Sequence, residues 1–582
     1  MSDEEDTTIL LNNPNKNAEQ LVNNSKNDDY QCIPARNLRK PIPKQSEALT
    51  PLTSSNQSIF VSSVAILAGV AYGSDMGIGK SIAPLIKQEF NLVCFEKDFI
   101  IYIWFLGALF GGITGGIFID SYGRRWMMIL TLIFLSFGAM LSALANHYIL
   151  LLMARFICGY SGTVSAVAHC IYLAEVSDIN KRGRNIMLYQ FGIAVGYLMS
   201  IISAALKTIE YQWRFSMGIA AVPALTACII TIIFLQRSPA FLLLKRINNT
   251  LLKCSSSNTN MKSAWKTIIE TLVIMVFMLL LQEGAGRQQV LYYAPRLFAL
   301  LGICSNVANI TALISLGVVR VFSTMLSLVI IEKCGRRTAL ITSATICMTT
   351  ISLLSLLATI DRGDDTLGYV SNCYTDEQTD LKVFNSIPTG SPPPFPLLPT
   401  PLAAVAPSPE TWTQIKSSCE MQNVATSDGL TGGLRFLAII TLLVYEAAFA
   451  LGLGPVPFLN LSEVFPAAYR GKCMSAATCI AGVFVWSFHI NSNESVVTMA
   501  KSLTLAGSYL VYSFICLVTI FYVFLVIPET KGKSLHQVAQ ELRKISLSSR
   551  VCSNLRSLPI ICHTKWIKKY DSNPSSGQST LI

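Results

Sequence analysis

The sequence predicts an all-α membrane protein of twelve transmembrane helices arranged as two six-helix bundles. Three observations carry that expectation: long apolar blocks, a lopsided distribution of Lys and Arg among the short connections, and charged motifs that recur in the second half.

Of the 582 residues, 52% are hydrophobic and only 14% charged, too little charge to wet the several soluble domains that a chain of this length would form. The apolar residues are concentrated in Ile59–Ala83, Phe99–Ile119, Trp126–Ala145, Tyr148–Ala174, Ile186–Leu206 and Phe215–Leu235. After a polar gap follow Ile268–Tyr293, Val307–Ile331, Ala339–Thr359, Leu434–Leu461, Cys473–Ile490 and Leu503–Ile527. Each is close to the ~20 residues that cross a bilayer core. Buried helices of a soluble α protein would leave no face for water.

With the N-terminus in the cytoplasm, the inner connections hold Arg124, Arg125, Lys181, Arg182, Arg184, Lys333, Arg336, Arg337, Arg470 and Lys472. The outer ones hold few, among them Lys87, Lys97, Lys207, Arg296 and Lys501. Short inner loops are the ones enriched in Lys and Arg, so both termini are expected in the cytoplasm. The net charge of +11 is then a topology signal and no argument for nucleic acid. The implied organisation is a cytoplasmic tail (1–58), a first bundle (59–236), a short linker (237–267), a second bundle (268–530) and a tail (531–582). An outer insertion at 361–430 interrupts the second bundle.

Most of the 16 cysteines fall inside the expected spans as small apolar residues. Cys373 and Cys419 share the outer insertion, and whether they pair is left open. Residues 1–57 are polar and precede a full-length span, so no cleavable signal is expected. Asp6–Leu11 has the form of an acidic dileucine sorting signal, which a disordered tail also produces by chance. The plasma membrane is the expected location and an endomembrane the alternative. Metal-ligand clusters, nucleophile elbows and phosphate loops are missing from the sequence, so no metal, cofactor or enzymatic chemistry is expected.

The chain is written twice. Asp120-Ser-Tyr-Gly123-Arg124-Arg125 ends the second span, and Glu332-Lys-Cys-Gly335-Arg336-Arg337 ends the eighth. Glu175 precedes Arg182-Gly183-Arg184 by the same spacing that separates Glu463 from Arg470-Gly471-Lys472. Such parallel repeats mark two equivalent bundles with a substrate site between them. The acids sit at helix C-termini, where the dipole disfavours negative charge and nearby arginines offset it. Asp120, Arg124, Arg125, Glu175, Glu332, Arg336, Arg337, Glu463 and Arg470 are therefore candidates for a gate of breakable ion pairs. Positive-inside anchoring is the alternative.

With these motifs, the chain resembles the sugar transporters of the major facilitator superfamily from about Ile59 to Gly532. The matching features include Gly73-Ser-Asp75-Met-Gly77, Arg155 to Tyr172-Leu-Ala-Glu175, Trp213-Arg214, Tyr292-Tyr-Ala-Pro295 and Pro528-Glu-Thr-Lys-Gly532. The outer insertion and the run from Val444 to Pro455 look like the class III facilitative glucose transporters, in the branch of the tenth and twelfth human members. The resemblance implies carriage of a hexose by alternating access, with a polyol, inositol or dehydroascorbate as alternative cargo, or a sugar sensor that does not transport.

A neutral polyhydroxylated ligand needs side chains that donate and accept, and rings for its C–H faces. The resemblance places Gln190, Gln282, Glu283, Gln288, Arg320, Phe458, Trp486 and His489 at the sugar site. Several depart from the family pattern: Glu283 replaces Gln, Arg320 replaces Asn, Phe458 replaces Trp and His489 replaces an Asn-type residue. Glu283 could balance Arg320 or pair with Arg287 one turn on. Asp75, deep in the first span, is where the family's proton symporters carry Asp, with Arg155 as its partner. The pair implies proton coupling or a permanent structural link between spans one and four. His169 reads as a packed or hydrogen-bonded residue rather than a proton relay.

Overall fold

The computed structural model describes residues 55–205, 212–236, 238, 241, 259–287, 290, 294, 305–360, 432–535 and 537–538. The expected tails, most of the linker, the insertion with Cys373 and Cys419, and Gln288 lie outside the described residues, as do the side chains of Trp486 and His489.

The first half contains α1 (Ser55–Phe90), α2 (Cys94–Tyr122), α3 (Arg124–Ala143), α4 (Tyr148–Val176), α5 (Arg182–Ala205), α6 (Gln212–Gly218) and α7 (Ala221–Phe234). The second contains α8 (Thr259–Gly284), α9 (Ser305–Cys334), α10 (Arg336–Ile360), α11 (Gly432–Ala448), a π-turn (Phe449–Leu453), α12 (Val456–Val464) and α13 (Arg470–Val526). Among the described residues, 11 segments are long and apolar enough to cross a membrane. The expected span at Cys473–Ile490 lies in the first part of α13.

The sequence reading separates that span from the next by a polar connection, whereas helix runs unbroken through all 57 residues of α13. A straight helix of that length would reach about 86 Å. Both ends nevertheless lie at one face: Arg470 touches Glu175, and Thr530, just past the other end, touches Glu463. The chain therefore goes out and returns within α13.

The repeated Gly-Arg-Arg motif is a repeated turn. Gly123 alone joins α2 to α3 at φ +97°, and Gly335 alone joins α9 to α10 at φ +91°. A Cβ is strained at such angles, so glycine lets the following arginines start a new helix at once. Span ten is broken by its run Gly452-Leu-Gly454-Pro455-Val-Pro457. The freed backbone groups find side chains: Ser327 Oγ donates to Leu451 O at 2.6 Å, and the Leu453 N–H donates to Ser343 Oγ at 2.9 Å.

Within the first half α1 packs along α5 and α2 along α4; within the second, α10 and α8 pack on α13. The halves meet along two seams, α2 against α13 and α5 against α9. The apolar side chains left outside, such as Ile113, Phe137, Val273, Phe322 and Phe514, suit a hydrocarbon surround.

The α1–α5 contact is close because Gly69 and Gly73 face Gly192 and Gly196. A Cβ at Gly73 would stand 2.1 Å from the Ile193 carbonyl oxygen, which cannot move without its helix. Gly73→Ala is expected to destabilise the folded protein by about 1–3 kcal/mol, the usual cost of overpacking. A melting curve in detergent checks it, and an unchanged Tm contradicts so tight a contact.

Candidate functional site

At one face of the molecule two buried carboxylates each hold an arginine from both halves. Glu175, at the end of α4, accepts from Arg124 at 3.2 Å and from Arg470 of the other half at 3.1 Å. Glu463, at the end of α12, accepts from Arg336 at 3.2 Å and from Arg182 of the other half at 2.7 Å. A hydroxyl completes each site: Ser238 Oγ donates to Glu175 and Thr530 Oγ1 to Glu463, both at 2.5 Å. Exchanging the halves maps one site on the other. The outer acids repeat the exchange, for Asp120 accepts the Lys472 N–H at 3.0 Å and Glu332 the Arg184 N–H at 2.7 Å. Arg124 also lies 3.4 Å from Asp120.

Arg125 and Arg337 behave differently from the rest of the expected gate. Arg125 donates to Ile232 O at 2.7 Å, and Arg337 donates to Phe524 O, each within its own half. Being one residue further along the helix than Arg124 and Arg336, they point round the helix toward the last span of their own bundle. They tie the bundle together rather than the two bundles to each other.

Deeper in the first half, Asp75 is 5% exposed and pairs with Arg155 at 2.9 Å. The Trp104 indole donates to its other oxygen at 2.6 Å. Arg155 Nε and Nη2 are buried without an acceptor among the described residues. Trp104 had no part in the expected constellation; an indole on α2 at a depth matching Asp75 was the available signal. His169 is fully buried, with Nδ1 within 2.7 Å of Ser165 O and its ring stacked on Tyr189 at 5.6 Å. Its partners are those of a packed residue.

The expected sugar residues divide. Gln190, on α5, is half-buried and makes no hydrogen bond among the described residues. Gln282 Nε2 donates to Gly454 O at 2.9 Å, a carbonyl freed by the break in span ten, while its buried Oε1 has no partner among the described residues. Phe458 is half-buried against the second-half core.

Neither pairing foreseen for Glu283 is formed. Arg287 pairs instead with Glu446 of α11, at 3.1 Å and 3.4 Å. α8 stops at Gly284 and Gly286 takes φ +84°, so Glu283 and Arg287 do not share the continuous turn that an i,i+4 pair requires. Arg320 has moved to an aromatic partner, its guanidinium 5.4 Å from the centre of the Tyr197 ring on α5. Glu446 was overlooked, although an acid alone in the middle of an apolar span is itself the signal.

Gln282→Ala removes the free Oε1 and is expected to raise the apparent KM several-fold, about 1 kcal/mol for one hydrogen bond to a neutral ligand. Unchanged uptake kinetics would take α8 out of the site.

The comparisons with known proteins agree with this architecture. A family model described as "Sugar (and other) transporter" matches residues 61–372 and 419–542. Facilitated glucose transporter member 12 of Macaca fascicularis is 27% identical over 542 residues, covering 85% of this chain and 86% of its own. Member 10 of Xenopus laevis is 26% identical, covering 84% and 94%. Among solved structures, the major facilitator proton:xylose symporter XylE bound to 6-bromo-6-deoxy-D-glucose superposes with a TM-score of 0.61 at 20% identity, over 84% of this chain and all of that one. A partially occluded inward-open form of XylE from E. coli gives 0.52 at 21% identity, over 82% of this chain and all of that one. The fold is that of the major facilitator superfamily, and the chain belongs to the sugar (and other) transporter family.

Proposed function

We propose that the protein carries a hexose or a closely related polyhydroxylated solute across the plasma membrane by alternating access, with both termini in the cytoplasm. The observation that carries this reading is the reciprocal pairing of Glu175 with Arg470 and Glu463 with Arg182. Among the described residues, the ion pairs between the halves lie at the Arg-rich face, as a lock on the cytoplasmic mouth of a central cavity should. Rocking the halves apart breaks both cross pairs together and leaves each acid with the arginine of its own half. Gln190, half-buried on α5, and Gln282, whose Oε1 has no partner among the described residues, are the amides offered to sugar hydroxyls. The names of the relatives, glucose transporters and a xylose symporter, support a sugar as cargo.

The purified protein in proteoliposomes should exchange radiolabelled D-glucose, or a polyol such as inositol, across the membrane. Binding of these compounds without exchange would instead identify a sensor.

Asp75 favours proton-coupled transport over passive carriage. Its carboxylate is buried at membrane depth, held by Arg155 and Trp104, where an acid is costly to keep without a function.

A further inference from the structure

Arg320 is a cation in search of an anion. It stands roughly 18 Å along α9 from Glu332, near the middle of a slab about 30 Å thick. An uncompensated charge there is costly, so such residues find a counter-charge or serve one that arrives. Its guanidinium stacks on Tyr197 of the opposite half at 5.4 Å and has no carboxylate or hydrogen-bond acceptor among the described residues. It is half-buried, on a helix that packs against α5 of the opposite half.

The surroundings offer no substitute. Glu446 is the acid within reach, and Arg287 occupies both its oxygens while lying over Phe449 at 5.5 Å. Arg287 repels Arg320 while Glu446 attracts it from beyond ion-pair distance, so the compensation is partial. Glu283 makes no ion pair within 4.0 Å among the described residues. The neighbouring stretch 288–304 contains neither Asp nor Glu in its sequence. Glu446 and Glu283 thus both act on Arg287, and Arg320 has no carboxylate within ion-pair distance among the described residues.

From this arrangement we infer that the preferred cargo is a sugar acid of the hexuronate class, its carboxylate docking on Arg320. The inference rests on the carrier reading and narrows its substrate. A planar guanidinium matches a planar carboxylate with two parallel hydrogen bonds, which an ammonium group cannot copy. Tyr197 supplies a ring face beside Arg320, and Phe449 supplies one beside Arg287.

The test uses the full-length protein in proteoliposomes, with radiolabelled D-glucuronate and D-glucose each competing against the other. D-Glucuronate should enter, and should displace D-glucose at a concentration at least ~10-fold below that needed for the reverse, as expected of a charge-assisted pair. Arg320→Gln should lower the glucuronate-to-glucose uptake ratio by ~10-fold or more, and Arg320→Lys should recover part of it. Entry of D-glucose or inositol with D-glucuronate neither entering nor competing overturns the inference and leaves the carrier reading standing. An unchanged ratio in Arg320→Gln also overturns it. Entry of no solute at all defeats the carrier reading and this inference together. Should Arg320→Gln fail to reconstitute, the competition in the unmutated protein still decides.

Discussion

Glu463→Gln is expected to open the charged face and to slow transport at least ~10-fold. Glu463 is fully buried and holds Arg182, Arg336 and Thr530 at once. A neutral amide leaves two buried guanidinium groups without their anion, a penalty of about 3–5 kcal/mol in the closed form. The protein can relieve it by rocking open and letting water reach Arg182, so the change falls on the balance of conformations more than on folding. A shift of ~3 kcal/mol corresponds to roughly 100-fold in that balance. Thiol labelling followed by mass spectrometry reads it out, because Cys473 is buried at this face while Cys334 is exposed and serves as the internal standard. Labelling of Cys473 should rise ~10-fold or more in Glu463→Gln. Glu332→Gln should change it far less, since Glu332 reaches across through one backbone N–H. Equal labelling of Cys473 in all three proteins would argue that the ion pairs do not lock anything.

Asp75→Asn is expected to abolish accumulation of sugar driven by an inward proton gradient. Asparagine can still accept from Trp104, so the shape of the site survives while Arg155 loses its counter-charge. Loss of a buried partner charge costs several kcal/mol, and passive exchange by the variant should persist at a reduced rate. The measurement is uptake into proteoliposomes with the outside acidified. Accumulation above equilibrium by the unmutated protein and none by the variant identifies Asp75 as the proton site. If the unmutated protein itself never exceeds equilibrium, the carrier is passive and the Asp75–Arg155 pair is structural.

The fold was legible because it is encoded locally and twice. A glycine between Asp120 and Arg124 and another between Glu332 and Arg336 set the same turn, and equal acid-to-Arg spacing brought Glu175 and Glu463 to equivalent places. What escaped was encoded between distant segments. Arg125 and Arg337 bond to backbone carbonyls, which every residue possesses and no sequence pattern marks. The Arg287–Glu446 pair depends on the break after Gly284, which turns Arg287 away from Glu283 and toward α11. Gln282 was read as a sugar-site residue, and its bond to Gly454 O follows from a wide turn in another span. Helix through 491–502 was likewise unforeseen, because a polar stretch between two apolar ones reads as a loop.

The sharing of each acid between two arginines bears on how the molecule spends its working cycle. In a simple bolt, parting the halves would strand a naked carboxylate in a greasy crevice, and the open form would be a rare excursion. Here Glu175 keeps Arg124 and Glu463 keeps Arg336 when the halves separate, while Arg470 and Arg182 are released toward water. Neither acid is ever orphaned. The two end states can therefore lie close in energy, which is what a shuttle needs if it is to wait at neither bank. Because the released arginines become solvated, added salt lowers their free energy mainly in the parted form. On the proposed topology, ionic strength at this face would then be a dial on how often the door stands open.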